Sequence, residues 1–248
     1  MEYALLAIWC FAVALAGGLV GLVLGNIRLP AVLLLTTSPG AGTGANIGIS
    51  AVAAATASIA HIRAGRVNWR LFRWMAPPSI IGALAGGYVS GVLPGDLLLF
   101  VIAGVLLYSG IELLRKPEAK PRPEGRDGLD IPAAVLTGLV IGVLGGIVGL
   151  ILGSLRMPAL VKIVGEVPAR AVGTNVTIGF LVGVAGVIGH LPSDPPDWDV
   201  LAVGAAASVP GALLGSRLTG RLSDRALLQA VGYILLVAAA AMVADALT

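Results

Sequence analysis

Charge is scarce in this sequence. Asp, Glu, Lys and Arg make up 12% of its 248 residues against 57% hydrophobic ones, and the mean hydropathy is +0.97. So few charges cannot cover a globular surface in water, which excludes a soluble domain and places the chain in a bilayer. Cysteine is nearly absent: Cys10 alone excludes an intramolecular disulfide and a cysteine metal cluster. The constellations of hydrolytic chemistry are also missing, with no His-Glu-x-x-His, no Gly-x-Ser-x-Gly and no paired acids within the apolar stretches. Ser50, in Gly48-Ile49-Ser50, is a weak candidate nucleophile whose counterpart later in the chain is Gly179. No metal, cofactor or enzyme activity is therefore expected. Aromatics are 5% of the chain and do not interleave with a basic patch, so nucleic acid is not an expected partner.

Apolar runs are abundant. They fall near residues 3–27, 44–62, 74–95, 97–111, 131–155, 171–190, 200–216 and 226–244. Each approaches the length needed to cross a hydrocarbon core of about 30 Å at about 1.5 Å per residue. The first run carries Glu2 and lacks a basic leader, so it reads as part of the fold and not as a signal peptide.

One phrase occurs twice. Residues 17–31, GGLVGLVLGNIRLPA, return 128 positions later as residues 145–159, GGIVGLILGSLRMPA, with ten of fifteen positions identical. With one inserted residue the match continues through Gly44 and Gly173, Asn46 and Asn175, His61 and His190, Trp69 and Trp198, Ser79 and Ser208, and Gly86 and Gly215. The expected fold is an all-α polytopic membrane protein of two repeats, residues 1–115 and 131–248, each with about four apolar helical units. Residues 116–130, rich in charge and proline, form the linker. Proline predicts that the first unit of each repeat breaks at Arg28-Leu29-Pro30 and at Arg156-Met157-Pro158.

Lys and Arg set the expected sidedness. Arg63, Arg66, Arg70 and Arg73, the basic linker, and Arg217, Arg221 and Arg225 belong on the cytoplasmic side by the positive-inside rule, whereas residues 191–199 lack Lys and Arg. This pattern favours three full crossings per half with a re-entrant first unit, which inverts the second repeat. Eight simple crossings with parallel repeats are the alternative.

Glycines four apart (Gly17, Gly21 and Gly25; Gly145, Gly149 and Gly153; Gly82 and Gly86; Gly211 and Gly215) predict close helix packing. After each proline break, residues 39–46 (PGAGTGAN) and 168–175 (PARAVGTN) precede an apolar helix and carry Thr43, Gly44 and Asn46, then Thr174, Gly173 and Asn175. If these segments lie deep, their free amides at a helix N-terminus would bind an anion; near the surface, the Asn and Thr would be helix caps. Charges inside apolar territory are Arg28, Arg156, Lys162, Glu166 and Arg170. Two arginines at matching positions point to an anion or to snorkelling, and Lys162 and Glu166, four apart, can pair with each other. His61 and His190 end apolar runs, and Trp69 and Trp198 suit the headgroup zone.

In these features the chain resembles the TauE/SafE family of bacterial membrane permeases, a group associated with sulfite, thiosulfate and organosulfonates. The residues are the Gly17–Pro30 and Gly145–Pro158 stretches, Arg170-Ala171-Val172-Gly173-Thr174, Gly65-Arg66-Val67-Asn68-Trp69, and the Gly82–Gly86 and Gly211–Gly215 segments. The chain departs from that pattern in having Val23-Leu24-Gly25 and Ile151-Leu152-Gly153 where the family has three glycines, and arginine at 28 and 156. The resemblance implies a multi-pass permease of the cell inner membrane that moves a small sulfur-containing oxyanion by alternating access between the two halves. Asn46, Asn175, Thr43 and Thr174 would donate hydrogen bonds beside Gly44 and Gly173, and Arg28 and Arg156 would supply positive potential. A channel-like anion pore, an intramembrane enzyme and a structural membrane subunit are the alternatives. The expected partners are a small anion and the lipid bilayer, and whether two copies form a homodimer stays open.

Overall fold

A computed structural model describes residues 1–20, 23–114, 130–158 and 168–217, together with positions 160, 164, 166, 233, 236, 237, 239, 240 and 243. The helices among these residues are α1 (Glu2–Val20), α2 (Gly25–Leu33), α3 (Pro39–Arg63), α4 (Trp69–Val92), α5 (Gly95–Leu114), α6 (Ile131–Val148), α7 (Gly153–Pro158), α8 (Pro168–His190) and α9 (Trp198–Arg217). No strand occurs among the described residues. Residues 116–129 of the expected linker, Lys162, Arg221, Arg225 and most of the last apolar run lie outside them.

Short polar side chains set the helix starts. Asn68 Oδ1 accepts from the amides of Arg70 and Leu71 at the start of α4, and Asp130 Oδ1 accepts from Ala133 N at the start of α6. Ser38 Oγ accepts from Ala41 N ahead of α3, and Asp197 Oδ1 accepts from Val200 N ahead of α9. Among the described residues, four helices are long and apolar enough to cross a membrane: Pro39–Arg63, Ile131–Val148, Arg170–His190 and Trp198–Gly215. Glu2–Gly17 and Gly95–Ile111 are shorter apolar stretches.

Two of the spans form the centre. α3 and α8 are 59% and 67% buried, whereas α6 and α9 are 39% and 33% buried, so the latter pair presents more surface to lipid. α3 packs on α8 with Gly186 against Ile47 and Gly183 against Ala51. Position numbers rise along one helix as they fall along the other, so the two run antiparallel. Their ends agree. Gly173, near the start of α8, abuts Arg66 O just beyond α3, and Ser38, ahead of α3, donates to Asp194 Oδ2 (2.5 Å) just beyond α8.

Around this centre α4 lies along α6 and α8, and α1 lies along α9. Contact between α4 and α6 is backbone to backbone: a Cβ at Gly86 would stand 2.2 Å from Val143 O, one at Gly142 2.4 Å from Ser79 O, and one at Gly146 2.5 Å from Ala83 O. In lipid, where apolar contact brings no hydrophobic gain, such close approach supplies the dispersion energy that holds helices together. Gly82 and Gly86 thus serve the packing their spacing predicts. On α6 the partners are Gly138, Gly142 and Gly146, and the predicted stripe of Gly145, Gly149 and Gly153 is not a helix face, because the helix ends within it.

The break sits upstream of the position expected from proline. α6 terminates at Gly149, which adopts φ +66° with its amide bonded to Gly145 O, and Leu152 follows at φ +48° before α7 begins at Gly153. In the first half, α1 ends at Val20 and α2 begins at Gly25, and α2 continues through Pro30 to Leu33. Pro30 forfeits only the bond its own nitrogen would donate, a loss that the other eight residues of α2 tolerate, whereas a left-handed glycine redirects the chain outright. Arg28-Leu29-Pro30 is therefore helical, and α7 runs through Arg156 to Pro158.

Candidate functional site

Each short helix carries an arginine into the protein interior. Arg28 on α2 is 1% exposed and Arg156 on α7 is 0% exposed. Neither forms an ion pair with a carboxylate among the described residues; their partners are neutral oxygens. Arg28 Nε donates to Asn46 Oδ1 (2.9 Å), and its Nη2 donates to Asn46 O (3.0 Å) and Ser50 Oγ (2.5 Å). Arg156 Nη1 donates to Asn175 Oδ1 at 3.3 Å, while its Nε and Nη2, both buried, have no hydrogen-bond partner among the described residues.

The asparagines in turn hold the broken backbone. Asn46 Nδ2 donates to Gly25 O (3.2 Å), at the start of α2, and to Gly149 O (2.8 Å), at the end of α6. Asn175 Nδ2 donates to Gly153 O, at the start of α7, over 3.5 Å. A carbonyl freed by unwinding a helix inside a membrane must find a donor, and these amides supply it. The two asparagines stand at different depths. At the register that Gly183 and Gly186 fix, Asn175 faces the neighbourhood of Ile59 on α3, thirteen residues beyond Asn46 and roughly 20 Å away along the axis. The unwound residues 149–152 join the two levels. Gly149 lies against Thr43, Ile151 packs with Ala54 and Val176, and Gly153 lies against Asn175.

Asn46 and Asn175 are neither caps nor parts of an irregular segment. α3 begins at Pro39 and α8 at Pro168, so each asparagine is the eighth residue of its helix. Residues 39–46 were expected to precede the helix and instead form its first two turns, because Ser38 already caps it and proline is favoured at the first position. The helix amides there are engaged, so side chains, not a helix terminus, supply the donors.

The remaining predicted residues serve other contacts. Thr43 is buried, donates to Gly40 O (2.8 Å) and meets Ser90 Oγ on α4 at 3.1 Å. Thr174 Oγ1 accepts from Asn68 N (2.9 Å), fastening the start of α8 to the turn before α4. Gly44 allows His190 and Pro196 to approach α3, and Gly173 allows the Arg66 carbonyl to approach α8. Among the described residues, neither threonine hydrogen-bonds to Arg28 or Arg156, whose partners are Asn46, Ser50 and Asn175. Glu166 accepts from Asn68 Nδ2 and pairs with Arg170 at 3.3 Å, and Lys162, the partner expected for it, lies outside the described residues. His190 is buried with no hydrogen bond to its ring among the described residues, His61 is partly exposed, and Trp69 and Trp198 are half exposed at the starts of α4 and α9. No group of three or more His, Cys, Asp or Glu able to hold a metal occurs among the described residues.

Ser50 was named in the sequence only as a weak candidate nucleophile, and its contact with Arg28 was not foreseen. It accepts from Arg28, and its spacing of four from Asn46 puts both on one helical face, which was the available signal.

Comparison with known proteins places this geometry in context. The family described as Sulfite exporter TauE/SafE matches residues 6–242. The chain is similar to the probable membrane transporter protein YunE of Bacillus subtilis (strain 168), 24% identical over 246 residues that cover 88% of this chain and 87% of the relative. It is also similar to a probable membrane transporter protein of Xylella fastidiosa (strain Temecula1 / ATCC 700964), 28% identical over 241 residues covering 91% of each chain. A further relative, the probable membrane transporter protein YjnA of Bacillus subtilis (strain 168), is 25% identical over 236 residues, 89% of this chain and 93% of its own. No solved structure matches.

Proposed function

Given that this chain belongs to the sulfite exporter TauE/SafE family and is a membrane transporter, not an enzyme, we propose that it moves small sulfur-containing oxyanions, such as sulfite, thiosulfate or organosulfonates, across the cell inner membrane. The observation that carries the proposal is the burial of Arg28 and Arg156 with only neutral partners among the described residues. An arginine at mid-membrane costs roughly 2.5–3.5 kcal/mol on insertion scales. Two of them without counter-charges make the interior favourable to an anion and hostile to a cation. Asn46 and Asn175 orient these cations and supply the donors that border the path, and Thr43, Thr174, Gly44 and Gly173 shape the helix starts around it.

The transport cycle we infer is alternating access between residues 1–115 and 131–248 acting as inverted, pseudo-symmetric halves. Two features support it: the duplicated sequence, and the antiparallel course of α3 and α8, whose asparagines correspond in that duplication. Discontinuous helices beside a central site are a recurrent arrangement in secondary transporters.

The test is flux of labelled sulfite, thiosulfate and taurine into proteoliposomes, with labelled acetate and sodium as comparison ions. A carrier gives saturable uptake that unlabelled oxyanion on the opposite side accelerates. Saturable flux of acetate alone would remove the sulfur-oxyanion assignment. Linear flux without exchange would make the protein a pore, and no anion flux above empty vesicles would refute the proposal.

A further inference from the structure

The two arginines differ along one edge of the guanidinium. Nε and Nη2 point to the same side and present two parallel N–H donors, the fork that meets two oxygens of one oxyanion. At Arg28 this fork is filled by protein: Asn46 Oδ1, Asn46 O and Ser50 Oγ lie at 2.9, 3.0 and 2.5 Å. At Arg156 the asparagine engages Nη1, outside the fork, and both fork nitrogens are buried without a partner among the described residues. One of these differences can be read along the helix, the other being the turn of the asparagine from the fork to Nη1. One turn past Asn46 stands Ser50, whose hydroxyl completes the clasp; one turn past Asn175 stands Gly179, which has no side chain.

We propose that the transported oxyanion is held at a single centre, on the Nε–Nη2 fork of Arg156, and that Gly179 contributes to keeping this fork available by withholding the hydroxyl that Ser50 offers Arg28. The proposal rests on the anion-transport reading above and narrows it to one of the two arginines. Charged donors buried without acceptors are unfavourable, so an acceptor of two oxygens about as far apart as the fork hydrogens is stabilised there, with Asn46 at the other centre showing the geometry in protein form. Over Gly179 lies Ile151 Cγ2, 2.6 Å from where a Cβ would stand, and Ile151 packs with Val176 and Ala54. This apolar cover excludes water and strengthens the charge-assisted bonds. The levels of Asn46 and Asn175, roughly 20 Å apart along the helices, are too distant for one small anion to bridge the two pairs. Arg28 then contributes field and architecture, and Arg156 contributes contact. The ligand class is an anion with an edge of two oxygens, which gives each N–H of the fork its own acceptor, whereas a halide offers both donors a single shared one.

The experiment is equilibrium binding of labelled sulfite and thiosulfate to the purified full-length protein, with fold monitored by helical circular dichroism and gel filtration. Wild type should bind one anion per chain, with chloride at equal concentration a poor competitor. Arg156→Gln should weaken binding by about tenfold or more. Gly179→Ser should bind at least about tenfold more weakly than Gly179→Ala, because both press the same Cβ on Ile151 and only serine brings a hydroxyl to the fork. Two anions per chain, a site of wild-type affinity surviving in Arg156→Gln, or equal affinities in the Ser and Ala variants would each overturn the single-centre proposal while leaving anion transport standing. Absence of binding by wild type, together with absence of flux, would instead overturn the anion reading. Should Arg156→Gln fail to fold, the comparison at Gly179 decides alone.

Discussion

Replacing Asn46 by alanine should cost far more stability than the same change at Asn175. Asn46 takes part in three short hydrogen bonds through its side chain: from Arg28 Nε at 2.9 Å, to Gly149 O at 2.8 Å and to Gly25 O at 3.2 Å. Side-chain bonds inside membranes average only about 0.6 kcal/mol, so the direct loss is about 2 kcal/mol. Alanine also leaves a buried, charged donor on Arg28 without its acceptor, a penalty of about 1–3 kcal/mol. The sum, about 3–5 kcal/mol, corresponds to a fall in midpoint of about 6–20 °C for a chain of this size. Asn175 makes two bonds of 3.3 and 3.5 Å, and Arg156 already has two unpartnered nitrogens, so Asn175→Ala should cost about 1 kcal/mol and a few degrees. Thermal unfolding of both variants in the same detergent, with wild type alongside, is the assay. Equal shifts, or a larger shift at Asn175, would refute the assignment of Asn46 as the principal clasp of the broken helices.

Other outcomes follow from single positions. Gly86→Ala places a Cβ 2.2 Å from the Val143 carbonyl, where no side chain can yield, and should lower the yield of folded protein and the midpoint; Gly104→Ala, with nothing within 4 Å, should leave both unchanged or slightly improved. Gly149→Ala combines a left-handed backbone with a Cβ 2.3 Å from Thr43 O and should lose about 2 kcal/mol or more, readable as the shift in thermal midpoint. In a Cys10→Ser background, cysteines at Arg63 and Pro192 should react with impermeant maleimide from opposite sides of the membrane, since one follows α3 and the other follows α8; labelling of both from one side would contradict the antiparallel spans. Arg28→Gln and Arg156→Gln should each reduce anion flux in proteoliposomes, by loss of field and of contact respectively, and unaltered flux in both would remove the electrostatic role of these residues.

Much of the helical framework was legible from hydropathy: the expected runs at 74–95, 97–111, 171–190 and 200–216 are present as α4, α5, α8 and α9 with ends shifted by a few residues. The shifts have local causes. Ser38 and Pro39 start α3 well before its apolar stretch, so small polar residues that looked like a loop became two helical turns. Proline drew attention to residues 30 and 158, while the decisive event was Gly149 entering the left-handed region, which sequence does not distinguish from a packing glycine. Arg28, Arg156, Asn46 and Asn175 could each be singled out as polar groups in apolar territory. Their pairing could not be read, because separations of 18 and 19 residues across a helix break carry no periodic signal. The contrast between Ser50 and Gly179 was visible in the duplication but had no meaning until Arg28 was seen to donate to one of them.

The hydrogen bond from Asn46 to Gly149 also has a meaning in time. Its two residues are 103 positions apart, and at about 5–20 residues per second a ribosome needs about 5–20 s to deliver the second after the first. During that interval α4 has no α6 against which to bury Gly82 and Gly86, and the clasp around Arg28 lacks its link to the later half. The nascent chain thus spends many seconds as a membrane intermediate whose strongest unsatisfied surfaces await their own C-terminal half. Expressed alone, the first half would be held in that waiting state, and co-expression with the second half as a separate chain should release it.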